Sequence, residues 1–493
     1  MNLAAKYLDV LDHSEEIVLN GKVNRVVGLI IESIGPAVSL GQICLIRSRD
    51  GSREDKAEVV GFKENNVLLM PLGSMEGIAP GCEVIAEKTM FTVGVGPALL
   101  GRVLDGLGQP IDGLGPLNLQ EKVSAYRQPP GPLERARIRE PIPTGIRTID
   151  SMLTCGKGQR VGIFSGSGVG KSVMLGMISR NTEADVNVIA LIGERGREVR
   201  DFIERDLGEE GLKRSVVIAA TSDRPALVRL KGAFIAHAIA EYFRDQGLDV
   251  MLLMDSVTRM AMAQREIGLA VGEPPTTKGY TPSVFAMLPR LVERAGKLER
   301  GSITGLYTVL VDGDDMDEPI ADAMRSILDG HIVLSRKLAS LNHYPAIDVL
   351  NSVSRVMIDV VTAEHRRKVN SLLEVLAVYR EAEDLINIGA YQPGSNPRID
   401  KSIRAIDKVN LFLRQDINEH TSFEKTLEEL DALFGKIEGG QALEENQKTS
   451  AAARPAGPKT PFAAARPAAT PRPQTAPSGR PAKPPLNKVA GKV

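Results

Sequence analysis

The chain has 493 residues, 43% of them apolar and 25% charged, a composition that suits a soluble protein of about three domains at roughly 150 residues each. Its net charge of −1 hides an asymmetry: residues 449–493 carry eight Lys/Arg and no Asp/Glu, so residues 1–448 hold 53 basic against 62 acidic groups, a net −9. That acidic body argues against a general nucleic-acid binder, and the absence of any apolar run of about 18 residues excludes a membrane-spanning helix.

The start, MNLAAKYLDVLDHSEE, lacks the basic-then-apolar pattern of a secretory signal. Cys44, Cys82 and Cys155 are far apart with no C-x-x-C, which points to a reducing compartment and away from a disulfide framework or a zinc ribbon. With no Trp and 4% aromatics, a stacking platform for single-stranded nucleic acid is poorly supplied.

In chain order, AAKYLDVLDHSEEIV reads either as a short amphipathic helix with Leu8 and Leu11 inward or as a frayed terminus. Residues 20–90 hold short runs rich in Val, Ile and Leu: VNRVVGLIIES, QICLIRS, AEVVGF and NNVLLMPL. Turn signals at Asp50-Gly51, Glu64-Asn65-Asn66 and Pro80-Gly81 separate them. This predicts a small β-barrel. Residues 93–145 are rich in Gly and Pro and mark a crossing between domains.

From about 158, apolar runs (RVGIF, VNVIALIG, SVVIAA, DVMLLMD and GLYTVLV) alternate with helical segments. That is the pattern of a parallel sheet covered on both faces. One helix after Pro225 places Leu227, Leu230, Phe234, Ile235, Ala238, Ile239 and Tyr242 on one face, which leaves His237 as a partly exposed helix residue. After about 362 the chain is helical and charged. Ten of the last 45 residues are Pro, too poor in apolar groups to bury a core. The expected fold is therefore multidomain α/β: an N-terminal barrel over 1–92, a parallel-sheet domain over 93–361 (P-loop and RecA-like by the loop at 165–172 and the family resemblance it carries), a helical domain over 362–440, and a disordered basic tail over 441–493. That tail reads as a solvated segment or as an arm for an acidic partner or membrane surface.

Ser165-Gly166-Ser167-Gly168-Val169-Gly170-Lys171-Ser172 follows the strand RVGIF and opens a helix, the setting a phosphate-binding loop requires. Glycines let backbone N–H groups turn toward phosphate oxygens, and the helix N-terminus adds its positive dipole. Lys171 would reach the β- and γ-phosphates of ATP, and the Ser172 hydroxyl would bind Mg²⁺. The usual first Gly or Ala of the motif is here Ser165. The strand VMLLM ends in Asp255, placed to hold Mg²⁺ through water. Glu194 ends another strand within Gly193-Glu194-Arg195-Gly196-Arg197-Glu198, where a carboxylate can polarise an attacking water and Arg195 can neutralise phosphoryl charge. A surface charge cluster is the alternative for that run.

The segments EPIPTGIRTIDSMLTCGKGQRVGIFSGSGVGKS, ALIGERGREV, MDSVTRMAMAQREI, GEPPTTKGYTPSVFAMLPRLVERAG and HYPAIDVLNSVSR resemble the catalytic subunits of rotary and protein-export ATPases. Within that superfamily the chain looks most like the flagellum-specific ATPases of type III protein export, over roughly residues 20–440. The resemblance implies that Glu194 is the catalytic carboxylate and Arg195 its neighbour near the γ-phosphate. It implies that Asp255 is the magnesium-associated Asp and Arg259 the nucleotide-binding Arg four residues on, that Tyr344 packs on adenine, and that Tyr391 closes the base pocket from the C-terminal domain. Arg355 matches an arginine that reaches the nucleotide of the next subunit, a task suited to an always-charged fork of donors.

One chain carrying Lys171, Glu194 and Arg355 favours a homohexamer with a competent site at every interface. The resemblance further implies a cytoplasmic enzyme at the periphery of the inner-membrane export apparatus. Its implied partners are export-gate and stalk proteins, a regulatory partner at the N-terminus, export substrates and chaperones, with membrane contact and without nucleic acid. Four other readings are an injectisome export ATPase, a catalytic subunit of a proton-driven ATP synthase, a non-catalytic nucleotide-binding scaffold and an RNA-translocating ring.

Overall fold

The computed structural model describes residues 20–452 apart from 312 and 314. The expectations for the N-terminal helix and the Pro/Ala-rich tail beyond 452 lie outside the described residues.

Six strands, β1 (Gly21–Val27), β2 (Ile30–Ile34), β3 (Gln42–Arg47), β4 (Glu54–Lys63), β5 (Asn66–Pro71) and β6 (Glu83–Met90), form the first region. They close into a barrel in the order β1-β2-β5-β4-β3-β6. Alternate residues such as Val23, Ile31, Ile46, Val59, Leu69 and Val84 fill its interior, as the two-residue period of a strand dictates. The run VNRVVGLIIES is two strands rather than one. Gly28, at φ +57°, turns the chain back between them, a backbone state that glycine adopts without steric cost.

The crossing segment contributes β7 (Thr92–Val95) and β9 (Glu121–Ser124), which pair with each other, and β8 (Val103–Asp105). The central sheet is then completed by β10 (Arg160–Ser165), β11 (Val186–Ile192), β12 (Ser215–Ala220), β13 (Asp249–Asp255), β14 (Gly296–Lys297), β15 (Ser302–Leu310), β16 (Gly330–Leu334) and β17 (Val353–Ser354). Its order is β17-β16-β10-β15-β13-β11-β12-β8, with β14 beside β15. Pairing is parallel except for β14 and β17.

The longer helices are α1 (Lys171–Asn181), α2 (Ala226–Asp245), α3 (Val257–Val271), α4 (Ala363–Asn387), α5 (Pro397–Leu413) and α6 (Phe423–Ala452). α2 and α3 cover one face of the sheet and α1 the other. Val188, Ala190 and Ile192 of β11 pack with Leu227, Leu230 and Ile239 of α2. Ile189 and Leu191 turn the other way, toward Met174 and Ile178 of α1, and the same core continues to Leu372, Val409 and Leu430 of the C-terminal helices. None of the helices among the described residues is long and apolar enough to cross a membrane.

His237 corrects the reading of α2 as one-faced. It is 0% exposed, with Nδ1 2.8 Å from the Ala233 carbonyl and Nε2 3.2 Å from the Tyr307 hydroxyl. Burial, with Arg294 nearby, pushes its pKa down to about 3. The helix is enclosed nearly all round, so its charges are also buried and paired. Glu241 and Arg294 are each 1% exposed and joined by two hydrogen bonds of 2.8 Å. Lys231 is ion-paired with Glu58 of β4 and hydrogen-bonded to Tyr126, tying the barrel to the sheet region.

Candidate active site

Three parallel strands inside the sheet, β10, β13 and β11, end on the same side of it, and each leads into a functional group there. β10 runs into the Gly-rich loop. Gly168 and Gly170 take φ of +78° and +85°, so the loop makes a turn that residues with a Cβ resist. Lys171 is the first residue of α1. Its ammonium is ion-paired with Asp255 and stands 3.9 Å from Oε1 of Glu194.

Asp255 ends β13, buried at 4% exposure. It accepts a 2.8 Å hydrogen bond from Oγ1 of Thr308 on the adjoining strand β15. Glu194 follows β11 after Gly193, and a Cβ at Gly193 would come within 2.8 Å of the Arg259 Cβ. That glycine lets the loop pass over α3. The Glu194 carboxyl is pushed up to about 7, first by burial and then by the Asp255 charge, against the pull of Lys171. A carboxyl poised near neutrality is suited to proton transfer at ordinary pH. The Arg259 Nε is buried, and among the described residues it has no hydrogen-bond partner.

Ser165 is buried at the strand end. Ser167 and Ser172 face solvent, while Val169 packs inward. Arg195 is exposed and ion-paired with Glu198 at 3.2 Å.

A cavity of about 570 Å³ opens beside the loop, within the range of small-molecule sites. Gly168, Gly170, Val173, Met174 and Met177 form one wall, Tyr344 and Pro345 a second, and Leu411, Arg414, Gln415, Asp416 and Ile417 the third. A Cβ on Gly170 would lie 3.3 Å from the Tyr344 ring. Tyr344 thus stands against the phosphate loop.

Tyr391 does not line this cavity. Its hydroxyl donates to the Asn396 carbonyl at 3.0 Å and to Asp400 at 2.9 Å, within the α4–α5 connection. The pocket is closed from the helical region by the segment after α5 instead. Nothing local in LFLRQDI marks that segment as pocket wall. Arg355 is likewise apart from Lys171, exposed beside the edge strand β17, with its guanidinium 3.4 Å from the Arg325 carbonyl. Sequence reasoning also missed Arg336, whose guanidinium lies over Gly166.

Comparison with known families agrees with this geometry. Residues 145–354 match the nucleotide-binding domain of the ATP synthase alpha/beta family, residues 23–88 its β-barrel domain, and residues 361–432 the C-terminal domain of the type III secretion ATPase EscN. The flagellum-specific ATP synthase of Bacillus subtilis (strain 168) is 57% identical over 433 residues, which are 87% of this chain and 99% of that protein. The chain belongs to the ATP synthase alpha/beta family, in its type III protein-export branch.

Other members of the branch are nearly as similar. The type 3 secretion system ATPase of Xanthomonas euvesicatoria is 52% identical, covering 84% of this chain and 93% of that one. The assembled ATPase EscN of enteropathogenic E. coli, solved with its central stalk EscO, superposes with a TM-score of 0.78 at 46% identity. That likeness covers 84% of this chain and all of EscN.

Proposed function

We propose that this chain is the ATP-hydrolysing motor of flagellar type III protein export, working as a homohexameric ring. The observation that carries this is the convergence of Lys171, Glu194 and Asp255 on one phosphate loop. The similarity to flagellum-specific ATP synthases extends over most of the chain.

The residues supply the chemistry in order. Backbone N–H groups of Gly166 to Lys171 and the N-terminus of α1 bind the phosphates of ATP. Lys171 exchanges its contact with Asp255 for the β- and γ-phosphates. Tyr344 and the apolar pocket hold the base. Asp255 and Ser172 offer a carboxylate and a hydroxyl, oxygen donors of the kind Mg²⁺ prefers alongside water and phosphate, so the donor set fits that ion. Mg²⁺ bound there would neutralise charge that builds between the β- and γ-phosphates. Glu194 orients a water at the γ-phosphorus and polarises its O–H bond, with Arg195 and Arg259 adding positive charge nearby. The water oxygen bonds to phosphorus as the bond to ADP breaks.

Arg355 completes the site of an adjoining subunit. Its exposure at the sheet edge supports a role outside its own chain. Arginine fingers supplied in this way raise phosphoryl-transfer rates by about 10³–10⁵. Because every chain carries both halves of the site, head-to-tail contacts that close give six equal sites. In the cell the ring would sit in the cytoplasm at the inner-membrane export gate. A central stalk, an N-terminal regulatory partner, and substrates with their chaperones would meet it there.

Deleting the gene tests the assignment. Filament export should stop while cellular ATP synthesis continues, and a loss of ATP synthesis with intact filaments would overturn it.

A further inference from the structure

Thr308 sits in β15 among Leu306, Tyr307 and Val309 and is 0% exposed. β15 runs between β10, which leads into the phosphate loop, and β13, which ends in Asp255. On the β10 side its partner across the sheet is Ile163, which brings no polar side-chain atom. On the β13 side Tyr307 pairs with Met254, which sets Thr308 beside Asp255. A buried hydroxyl needs a partner, and this one bonds Oδ1 of Asp255 at 2.8 Å. An ionised carboxylate only accepts, so the hydroxyl is the donor.

The same oxygen also receives the Lys171 ammonium. Among the described residues no side chain is bonded to Oδ2 of Asp255. Oδ1 is thus held twice, by the end of a long side chain and by a hydroxyl fixed in the sheet. When Lys171 turns to the phosphates, as proposed above, Thr308 is the side chain that stays on Asp255. A second pair shows what such a bond does for the sheet alone. At the opposite end of the same two strands, Ser302 donates to Oδ1 of Asp249 at 2.7 Å, about 20 Å along β13 from Asp255 at the usual rise of a strand.

We infer that Thr308 is a positioning residue for magnesium: it holds the Asp255 carboxylate in one orientation once Lys171 has left it, and so sets the affinity of the site for Mg²⁺. This rests on magnesium–ATP binding there as proposed. Mg²⁺ demands near-ideal octahedral geometry, whereas Ca²⁺ accepts oxygen ligands in more flexible arrangements. A carboxylate free to turn therefore penalises Mg²⁺ more than Ca²⁺. Groups that hydrogen-bond a metal-binding carboxylate are worth about 10- to 100-fold in metal affinity.

The test follows binding of a non-hydrolysable ATP analogue to the full-length protein by titration calorimetry while free Mg²⁺ or Ca²⁺ is varied. Thr308→Val keeps the branched shape and removes the donor. It should raise the half-saturating Mg²⁺ concentration about tenfold or more, with a smaller rise for Ca²⁺ and little change in metal-free binding. Thr308→Ser keeps the donor and should stay near the parent. Ser302→Ala removes the matching bond at the far end of the strand pair and should leave the Mg²⁺ requirement unchanged. Thr308→Ala also lacks the donor and gives the same readout if the valine variant does not fold. A donor-less variant with the parent's Mg²⁺ requirement overturns the inference. So does one that weakens binding equally with Mg²⁺, with Ca²⁺ and with neither, or a serine variant as impaired as the valine one. All three leave the ATPase reading standing. A parent that binds the analogue no better with Mg²⁺ than without it removes the magnesium reading and this inference together.

Discussion

Arg336 lies over Gly166, so close that a Cβ on the glycine would come within 2.5 Å of the guanidinium. The phosphate loop is therefore shaped from outside as well as by its own glycines. Arg336 begins the short helix that follows β16, and eight residues later the same stretch presents Tyr344. Gly166→Ala should force the guanidinium or the loop to move. The atoms met are the far end of a flexible side chain, so the guanidinium moves first, and the expected result is a rise in the Kd for magnesium–ATP of less than about tenfold, under about 1.4 kcal/mol, with little change in melting temperature. Titration calorimetry would measure it, and unchanged affinity would show that the loop's shape does not depend on Arg336.

The raised pKa of Glu194 gives two pH signatures. The carboxylate is the form that can orient and accept a proton from water, so kcat/KM for magnesium–ATP should climb as pH rises through about 7. Glu194→Gln should lose turnover by about 10²–10⁴ while still binding nucleotide. For stability the sign is reversed. A carboxyl with a raised folded pKa binds its proton more tightly in the native state, so stability falls as pH rises from the ordinary carboxylate range through 7. Glu194→Gln should melt higher than the parent at pH 8, and the gap should close toward pH 4. Scanning calorimetry at the two pH values checks this.

Arg355 and Lys171 sit in one chain yet are proposed to serve one site only across a subunit boundary. Arg355→Ala and Lys171→Ala should each be nearly inactive alone. Mixed before assembly, they should regain activity, since some interfaces then pair an intact phosphate loop with an intact Arg355. A mixture no more active than its components would place the whole site within one subunit.

The Glu241–Arg294 pair predicts a stability effect far from the chemistry. Both groups are almost fully buried, and removing Glu241 leaves the Arg294 charge without its carboxylate, whereas Glu241 also has Arg127 at 3.6 Å. Glu241→Ala should cost about 3–5 kcal/mol. The double change Glu241→Leu with Arg294→Met should cost less than either single change. Urea denaturation would give the three values.

The strands that carry Lys171, Glu194 and Asp255 were legible because buried parallel strands are continuous apolar runs, and catalytic groups sit where such runs stop. The pocket's third wall was not legible. Arg414 to Ile417 reach the loop through docking of the end of α5 on Arg147 and Thr148, some 240 residues along the chain from Lys171, and no local spacing records that. Tyr391 illustrates the same limit: an aromatic after a helix is visible in sequence, but its own turn, through Asp400, holds it elsewhere. His237 failed for a simpler reason. An apolar stripe says which face is buried first and does not say whether the others are covered as well, and here Tyr307 and Arg294 close over them.

Gln415 ties the segment after α5 to the turn at Gly145–Arg147, with Arg147 itself bound to the carbonyls of Phe412 and Arg414. The base pocket thus has one wall anchored in the sheet region and another rooted in the helical hairpin. A base held there as proposed would touch both walls at once. Any hinging of α5 away from the sheet region would first have to break the bonds at Arg147 and Gln415, so those two side chains set how far the pocket can open.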